Sequence, residues 1–331
     1  MGAHLQFLSL ACSSPNLITA YSVAQGVRKL LVGLTDLPHG RWTLQSITLQ
    51  DLNFDESWDS FRASKNVLVT TLSHFFQAQI CLKTIDLKNA FVTPPFSYRI
   101  LRSITNSRSR VTVKSINLVN FFCCDTPSRF VGNHLMSLFR RCWQLSEISI
   151  NYFYLHAIGV ENLCETLADT LQLLRLDLYV LDHNRGDAIK TTQWSNARTA
   201  CPRLRVSLHM HCWPREPSTV LVNSLPLSEL LVKGRQCSRS PVSLSTKISR
   251  ILDCLSMSCP QTLQKATFAA VGVTKFCPPS YDSLSRFLFR CTHLKKLIFS
   301  DSLMKPGLMA KVKNELEKSS KSMSVRNVPK F

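Results

Sequence analysis

Glycine is scarce in this chain of 331 residues, at 10 positions, and acidic side chains number 21 against 40 lysines and arginines. So little glycine excludes a collagen-like chain, and a hydrophobic share of 45% excludes a disordered one. Apolar runs such as residues 29–34 fall far short of the roughly 18–20 residues a membrane-spanning helix needs, so no membrane role is expected. The first twelve residues hold a short apolar stretch without a basic flank, and Gln6 stands where a myristoylation signal takes Ser or Thr. Asn-x-Ser/Thr sequons are absent as well. Together these absences predict an untargeted chain, cytoplasmic or nuclear.

Chemistry is missing too. The sequence has no Gly-x-Ser-x-Gly elbow, no Walker loop, no Gly-x-Gly-x-x-Gly and no His-Glu-x-x-His, so neither an enzyme nor a cofactor is expected. Cysteine is plentiful at 13, but the number is odd and no Cys-x-x-Cys occurs, which points to reduced thiols rather than disulfides or zinc. Cys123 and Cys124 are adjacent and cannot together begin a zinc knuckle. His209 and His211, beside Cys212, would share one face of a strand over 204–210, a spacing a metal could use. No third ligand is evident, and packed or solvated rings are the expectation, with no metal site.

What the chain does have is a repeat. Its core, L-x-x-L-x-L, recurs as Leu44/Ile47/Leu49, Leu82/Ile85/Leu87, Val113/Ile116/Leu118, Leu145/Ile148/Ile150 and Leu173/Leu176/Leu178. It continues as Leu204/Val206/Leu208 (one residue short), Leu227/Leu230/Val232, Leu263/Ala266/Phe268 and Leu294/Leu297/Phe299. The nine starts are about 31 residues apart on average. Helix-period faces precede most of them: Leu68, Leu72, Phe75, Phe76 and Ile80; Val131, Leu135, Leu138, Phe139 and Cys142; Val160, Leu163, Cys164, Leu167 and Leu171. Ile248, Ile251, Leu252, Leu255 and Cys259 form another, and Leu284, Phe287, Leu288 and Cys291 the last. Thr126-Pro127 and Ser240-Pro241 read as helix caps followed by proline.

Each unit is therefore helix, tight turn and short strand, and a unit of this size buries too little apolar surface to stand alone. Stacked neighbours complete the burial. The predicted fold class is α/β, a leucine-rich-repeat solenoid: an irregular arc with parallel strands on the concave side and helices on the convex side. Residues 1–19 are a poorly defined segment, 20–303 the solenoid of about nine repeats, and 304–331 a capping helix (306–318) and basic tail. Residues 322–331 read either as a final edge strand or as a frayed end. Cys142, Cys201 and Cys291, three residues before a core, and Cys259, four before, suit the crowded helix-to-strand turn. Three residues after the core, Leu52, Ala90, Phe121, Phe153 and Leu181 occupy the place where a leucine-rich repeat carries Asn or Cys. No asparagine ladder is therefore expected.

The cores, with Cys142-x-x-Leu145, Cys201-x-x-Leu204 and Cys291-x-x-Leu294 before them, resemble the leucine-rich repeats of F-box-only proteins. Segments such as Leu163-Cys164-Glu165, Trp194 ahead of Leu204, and residues 262–265 add to the likeness, which covers roughly residues 20–331. The resemblance implies a non-catalytic substrate receptor of a Skp–cullin–F-box ubiquitin ligase, in which an F-box docks the Skp adaptor and the repeats hold a protein substrate. The chain departs from that pattern in residues 1–43, where Leu37-Pro38 is the only trace of an F-box. A free-standing interaction module or decoy is the alternative.

Binding is expected from the side chains that alternate with the core leucines. The candidates are Ser46, Thr48, Thr84, Asp86, Lys88, Ser115, Asn117, Glu147, Ser149, Asn151, Arg175, Asp177 and Tyr179, a small, mixed-sign set suited to a protein partner. The net charge of +19 supplies the rival reading, a nucleic-acid binder. Lys88, Arg99, Arg102, Arg108, Arg110 and Lys114 fall between residues 87 and 124 with no acid among them. Lys233, Arg235, Arg239, Lys247 and Arg250 do the same between 230 and 252. Most sit on predicted helices and connectors without alternating aromatics, so the nucleic-acid reading ranks below a protein partner.

Overall fold

A computed structural model describes residues 5–11, 17–36, 44–51, 62–123, 129–168, 173–180, 189–214, 216–235, 241–273, 276–318 and 323–328. It divides into two compact units, Met1–Leu174 and Arg175–Phe331. The caps expected at Thr126 and Ser240, and Leu37, Pro38, Leu52, Leu171 and Leu181, lie outside the described residues.

The first unit runs β1 (Phe7–Ala11), α1 (Leu17–Asp36), β2 (Ser46–Gln50), α2 (Arg62–Ala78), β3 (Thr84–Asp86) and α3 (Pro94–Asn106). It continues with β4 (Ser115–Asn117), α4 (Arg129–Arg141), β5 (Glu147–Asn151), α5 (Tyr154–Ile158) and α6 (Val160–Ala168). Its strands are all parallel and pair in chain order. Leu8, Ile47, Ile85, Ile116 and Ile148 share one register column, because the period of two sends every core residue to the same face. Helices α1 to α4 pack side by side, each on its neighbour.

The second unit runs β6 (Arg175–Val180), α7 (Thr191–Ala200), β7 (Arg205–Met210), β8 (Leu227–Arg235) and α8 (Pro241–Ser258). After these come β9 (Lys265–Val271), α9 (Tyr281–Arg290), β10 (Lys296–Ser300), α10 (Pro306–Lys318) and β11 (Ser324–Val328). Its strands too are parallel and in chain order. The fold class is thus the α/β leucine-rich-repeat type, and all nine core triplets are buried, none more than 5% exposed. Of the tail's two readings, the edge strand is the one observed, β11 against β10.

Four departures have physical causes. A tenth core precedes the nine: Leu5, Leu8 and Leu10 carry the same spacing, and β1 pairs with β2 through Leu8↔Ile47 and Leu10↔Leu49. Among the described residues, the connection from β7 to β8 holds no α-helix, only a 3₁₀ turn at Pro217–Thr219. It is the shortest interval, and Trp213 packs there on Gly234, where an added Cβ would meet the indole nitrogen at 2.5 Å. On α2, Ile80 lies past the helix end and is half-buried, whereas Gln79 is 2% exposed. Its Nε2 donates to the Phe75 carbonyl at 3.2 Å, while its Oε1 is buried without a hydrogen-bond partner.

The fourth departure is an asparagine ladder, which the sequence reading denied. Asn89 Nδ2 donates to Asp51 Oδ1 (2.8 Å), Asn120 Nδ2 to Asn89 Oδ1 (2.9 Å) and Asn151 Nδ2 to Asn120 Oδ1 (2.7 Å). The Asn120 backbone N–H also donates to Asn151 Oδ1, at 2.8 Å. Asp51, Asn89 and Asn120 have φ of 58°, 57° and 53°, a left-handed turn that short polar side chains tolerate. The ladder stands one or two residues after the core, not three. Ala90, Phe121 and Phe153, at the third place, are buried apolar packing instead.

Candidate protein-binding surface

The core face of each strand is buried against helices, so the opposite face offers the side chains between the leucines. On the first unit these form two rows in register. Phe7, Ser46, Thr84, Ser115 and Glu147 make one, and Ser9, Thr48, Asp86, Asn117 and Ser149 the other. Eight of the expected binding residues are brought together in these rows.

Two of them are held from below. Asp86 Oδ2 accepts from Gln50 Nε2 at 2.9 Å, and its Oδ1 accepts the Lys88 backbone N–H at 3.0 Å. Asn117 Oδ1 accepts the Val119 N–H at 3.2 Å. These bonds fix the carboxylate and the amide in place without neutralising the charge of Asp86. Lys88 itself stands beyond β3, in the turn, and not in a row. Asn151 is 1% exposed and committed to the ladder, so it presents nothing outward.

Arg175, Asp177 and Tyr179 lie on β6 of the second unit. Arg175 Nε and Asp177 Oδ1 form an ion pair at 2.9 Å. Register continues Asp177 into Ser207, Glu229, Lys265, Lys296 and Ser324. Glu229 and Lys265 pair across adjacent strands at 3.1 Å. Tyr179 stacks on His209, with centroids 4.5 Å apart and planes 5° from parallel, and on His211 at 5.8 Å and 17°. The two histidines do share a face, and what occupies that face is the Tyr179 ring. Burial pushes the His209 imidazole below its ordinary range, against the pull of Asp177.

Among the described residues, no group of three or more His, Cys, Asp or Glu could hold a metal ion, and no helix is long and apolar enough to cross a membrane. The turn cysteines are where the spacing puts them: Cys142 and Cys201 are 0% exposed, Cys259 and Cys291 2%. Their carbonyls receive the N–H groups of Leu145, Leu204, Leu263 and Leu294, which closes each helix-to-strand turn. Burial pushes the Cys142 and Cys259 thiols up from 9.0 to about 12, far from the range of a nucleophile. Glu229, Lys265 and Lys296 are outward residues that the candidate set omitted, whereas Ser207 in the same row is buried. The signal for them was present, since the alternation used up to Tyr179 runs on through the later cores.

No family model matches this chain, and no curated protein does. Among solved structures, the leucine-rich repeat-containing protein LegL7 from Legionella pneumophila is similar at 13% identity and a TM-score of 0.41, covering 98% of this chain and 90% of that one. A protein from Bacteroides fragilis is similar at 12% identity and a TM-score of 0.35, over 99% of this chain and 74% of that one. The fold assignment rests on strand order and register within each unit, and the likenesses add nothing on function.

Proposed function

We propose that the chain is a non-catalytic protein-interaction module, and that its specific role is substrate recognition for a Skp–cullin–F-box ubiquitin ligase. The observation that carries the first part is the pair of registered rows on β1 to β5. On β2 to β5 small hydroxyls and amides, with Asp86 and Glu147 as the acids, make a low, wettable surface on a parallel sheet, with the exposed Phe7 ring of β1 at its edge. Such a surface can take a protein segment through hydrogen bonds and shape, and lacks the cationic track a phosphate backbone needs. The ligase role rests on the sequence resemblance alone.

One observation favours the free-standing module instead. Phe7–Ala11 and Leu17–Asp36 are a strand and a helix, β1 and α1, of the same kind as the repeats after them. Affinity capture with the tagged full chain separates the two readings. Recovery of the Skp adaptor and cullin supports the ligase role; recovery only after a conventional F-box is fused to the chain rejects it. Cargo capture lost in Thr48→Arg with Ser149→Arg, at unchanged thermal stability, supports the row surface. Cargo capture indifferent to that pair rejects it.

A further inference from the structure

A cavity of about 340 Å³ opens in the helix layer of the first unit, between α3 and α4, remote in role from the strand rows. Its walls include Tyr98, Leu101, Arg102, His134, Ser137 and Arg141. Each guanidinium group has one neighbouring contact. That of Arg102 lies 6.0 Å over the Tyr98 ring, and Arg141 Nη1 donates to Asn106 Oδ1 at 3.3 Å. Neither arginine has a carboxylate partner among the described residues, and residues 87–124 contain no acid at all.

The cavity wall is also aromatic. His134 packs against Tyr98 at 4.2 Å and edge-on against Phe130 at 4.3 Å, so ring faces and edges line this side of the cavity. Two arginines, the Ser137 hydroxyl and the His134 ring line a space bounded by Leu101 and the Tyr98 ring. The shape matters as much as the charge. The cavity is discrete, and its two guanidiniums match a group of charge near −2 with several oxygens. A phosphodiester carries one charge and comes in a chain, which calls for an open track with repeated stacking aromatics.

We propose that this cavity binds a phosphate monoester on a side chain of a partner protein, gripped between Arg102 and Arg141 with Tyr98 and His134 against its stem. The site is independent of the strand rows and of any ligase assembly.

The test is fluorescence anisotropy on the full chain with a labelled five-residue peptide bearing one phosphotyrosine. The comparisons are a second peptide bearing one phosphoserine, their unphosphorylated twins, and a single-stranded oligonucleotide with the same label. At least one phosphopeptide should bind ten-fold or more tighter than its twin. Arg102→Gln and Arg141→Gln should each weaken it at least five-fold. Ser137→Glu, which sets a carboxylate between the guanidiniums, should abolish binding while the thermal midpoint holds or rises. It therefore decides the matter even if an arginine variant folds poorly. Lys295→Gln, an exposed residue of the second unit, should change nothing. The inference is overturned by equal binding of phosphorylated and plain peptides, by an oligonucleotide that binds tighter than both phosphopeptides, or by phosphopeptide binding that survives Ser137→Glu.

Discussion

Asn120 carries more of the first unit's order than its size suggests. It sits at φ 53°, donates to Asn89 and accepts from Asn151, while its own backbone N–H returns to Asn151. Each ladder bond is worth about 0.5–1.5 kcal/mol, and the left-handed conformation costs a residue with an ordinary Cβ about 1–2 kcal/mol. Asn120→Ala should therefore lose about 2–4 kcal/mol in urea unfolding, and Asn120→Gly, which tolerates the turn but loses the two side-chain ladder bonds, about 1–2 kcal/mol. Equal losses for the two would mean that the turn contributes nothing. The ladder was hard to read for a reason at this same scale. Spacing was counted from the leucine-rich pattern, and the asparagines stand earlier than that pattern places them. What marks them is backbone conformation, which no side-chain periodicity reports.

At the scale of the element, legibility followed how apolar the buried face is. Helix α4 was visible because Val131, Leu135, Leu138 and Phe139 are apolar and all buried at 2% or less. Helix α3 was not, although it packs equally well. Ser97, Ser103 and Thr105 are buried beside Ile100, Leu101 and Ile104. Their hydroxyls donate to the Pro94, Arg99 and Leu101 carbonyls at 2.7–2.8 Å. Local bonds of this kind let polar residues enter a core without leaving a donor unmet, and they erase the apolar period. A second element-scale constraint is Gly132 on α4, where an added Cβ would stand 2.5 Å from the Ala157 carbonyl oxygen of α5. Gly132→Ala should destabilise the chain by about 1–3 kcal/mol despite alanine's better helix propensity. Ala157→Gly should not rescue it, because the obstacle is backbone. A thermal midpoint equal to or above that of the parent would show that α4 and α5 do not approach as described.

For the molecule as a whole, the regularities legible in sequence were those enforced by stacking. A repeat that buries its face only against its neighbours must keep its core triplet, so the nine triplets were readable and every one is buried. What stacking does not enforce stayed hidden: the side-chain hydrogen bonds of the ladder, the α3–α4 cavity and the missing helix between β7 and β8. The candidate surface was half legible for the same reason. Alternation with the leucines placed Ser46, Thr48, Thr84, Asp86, Ser115, Asn117, Glu147 and Ser149 in rows, yet could not foresee that Asn151 turns into the ladder.

The central claim is that stability passes from repeat to neighbouring repeat along parallel strands in chain order. Native-state amide hydrogen exchange on the parent and on Asn120→Gly tests it most directly. The account predicts slow exchange at the β2 to β5 amides in the parent, including Leu87 and Leu118, whose N–H groups donate to Asn117 and Ser149 carbonyls at 2.9 and 2.8 Å. In Asn120→Gly, protection should fall first around β3, β4 and β5 and persist in β7 to β10. Uniform loss across the chain, or strand amides of the parent that exchange as freely as loops, would contradict it.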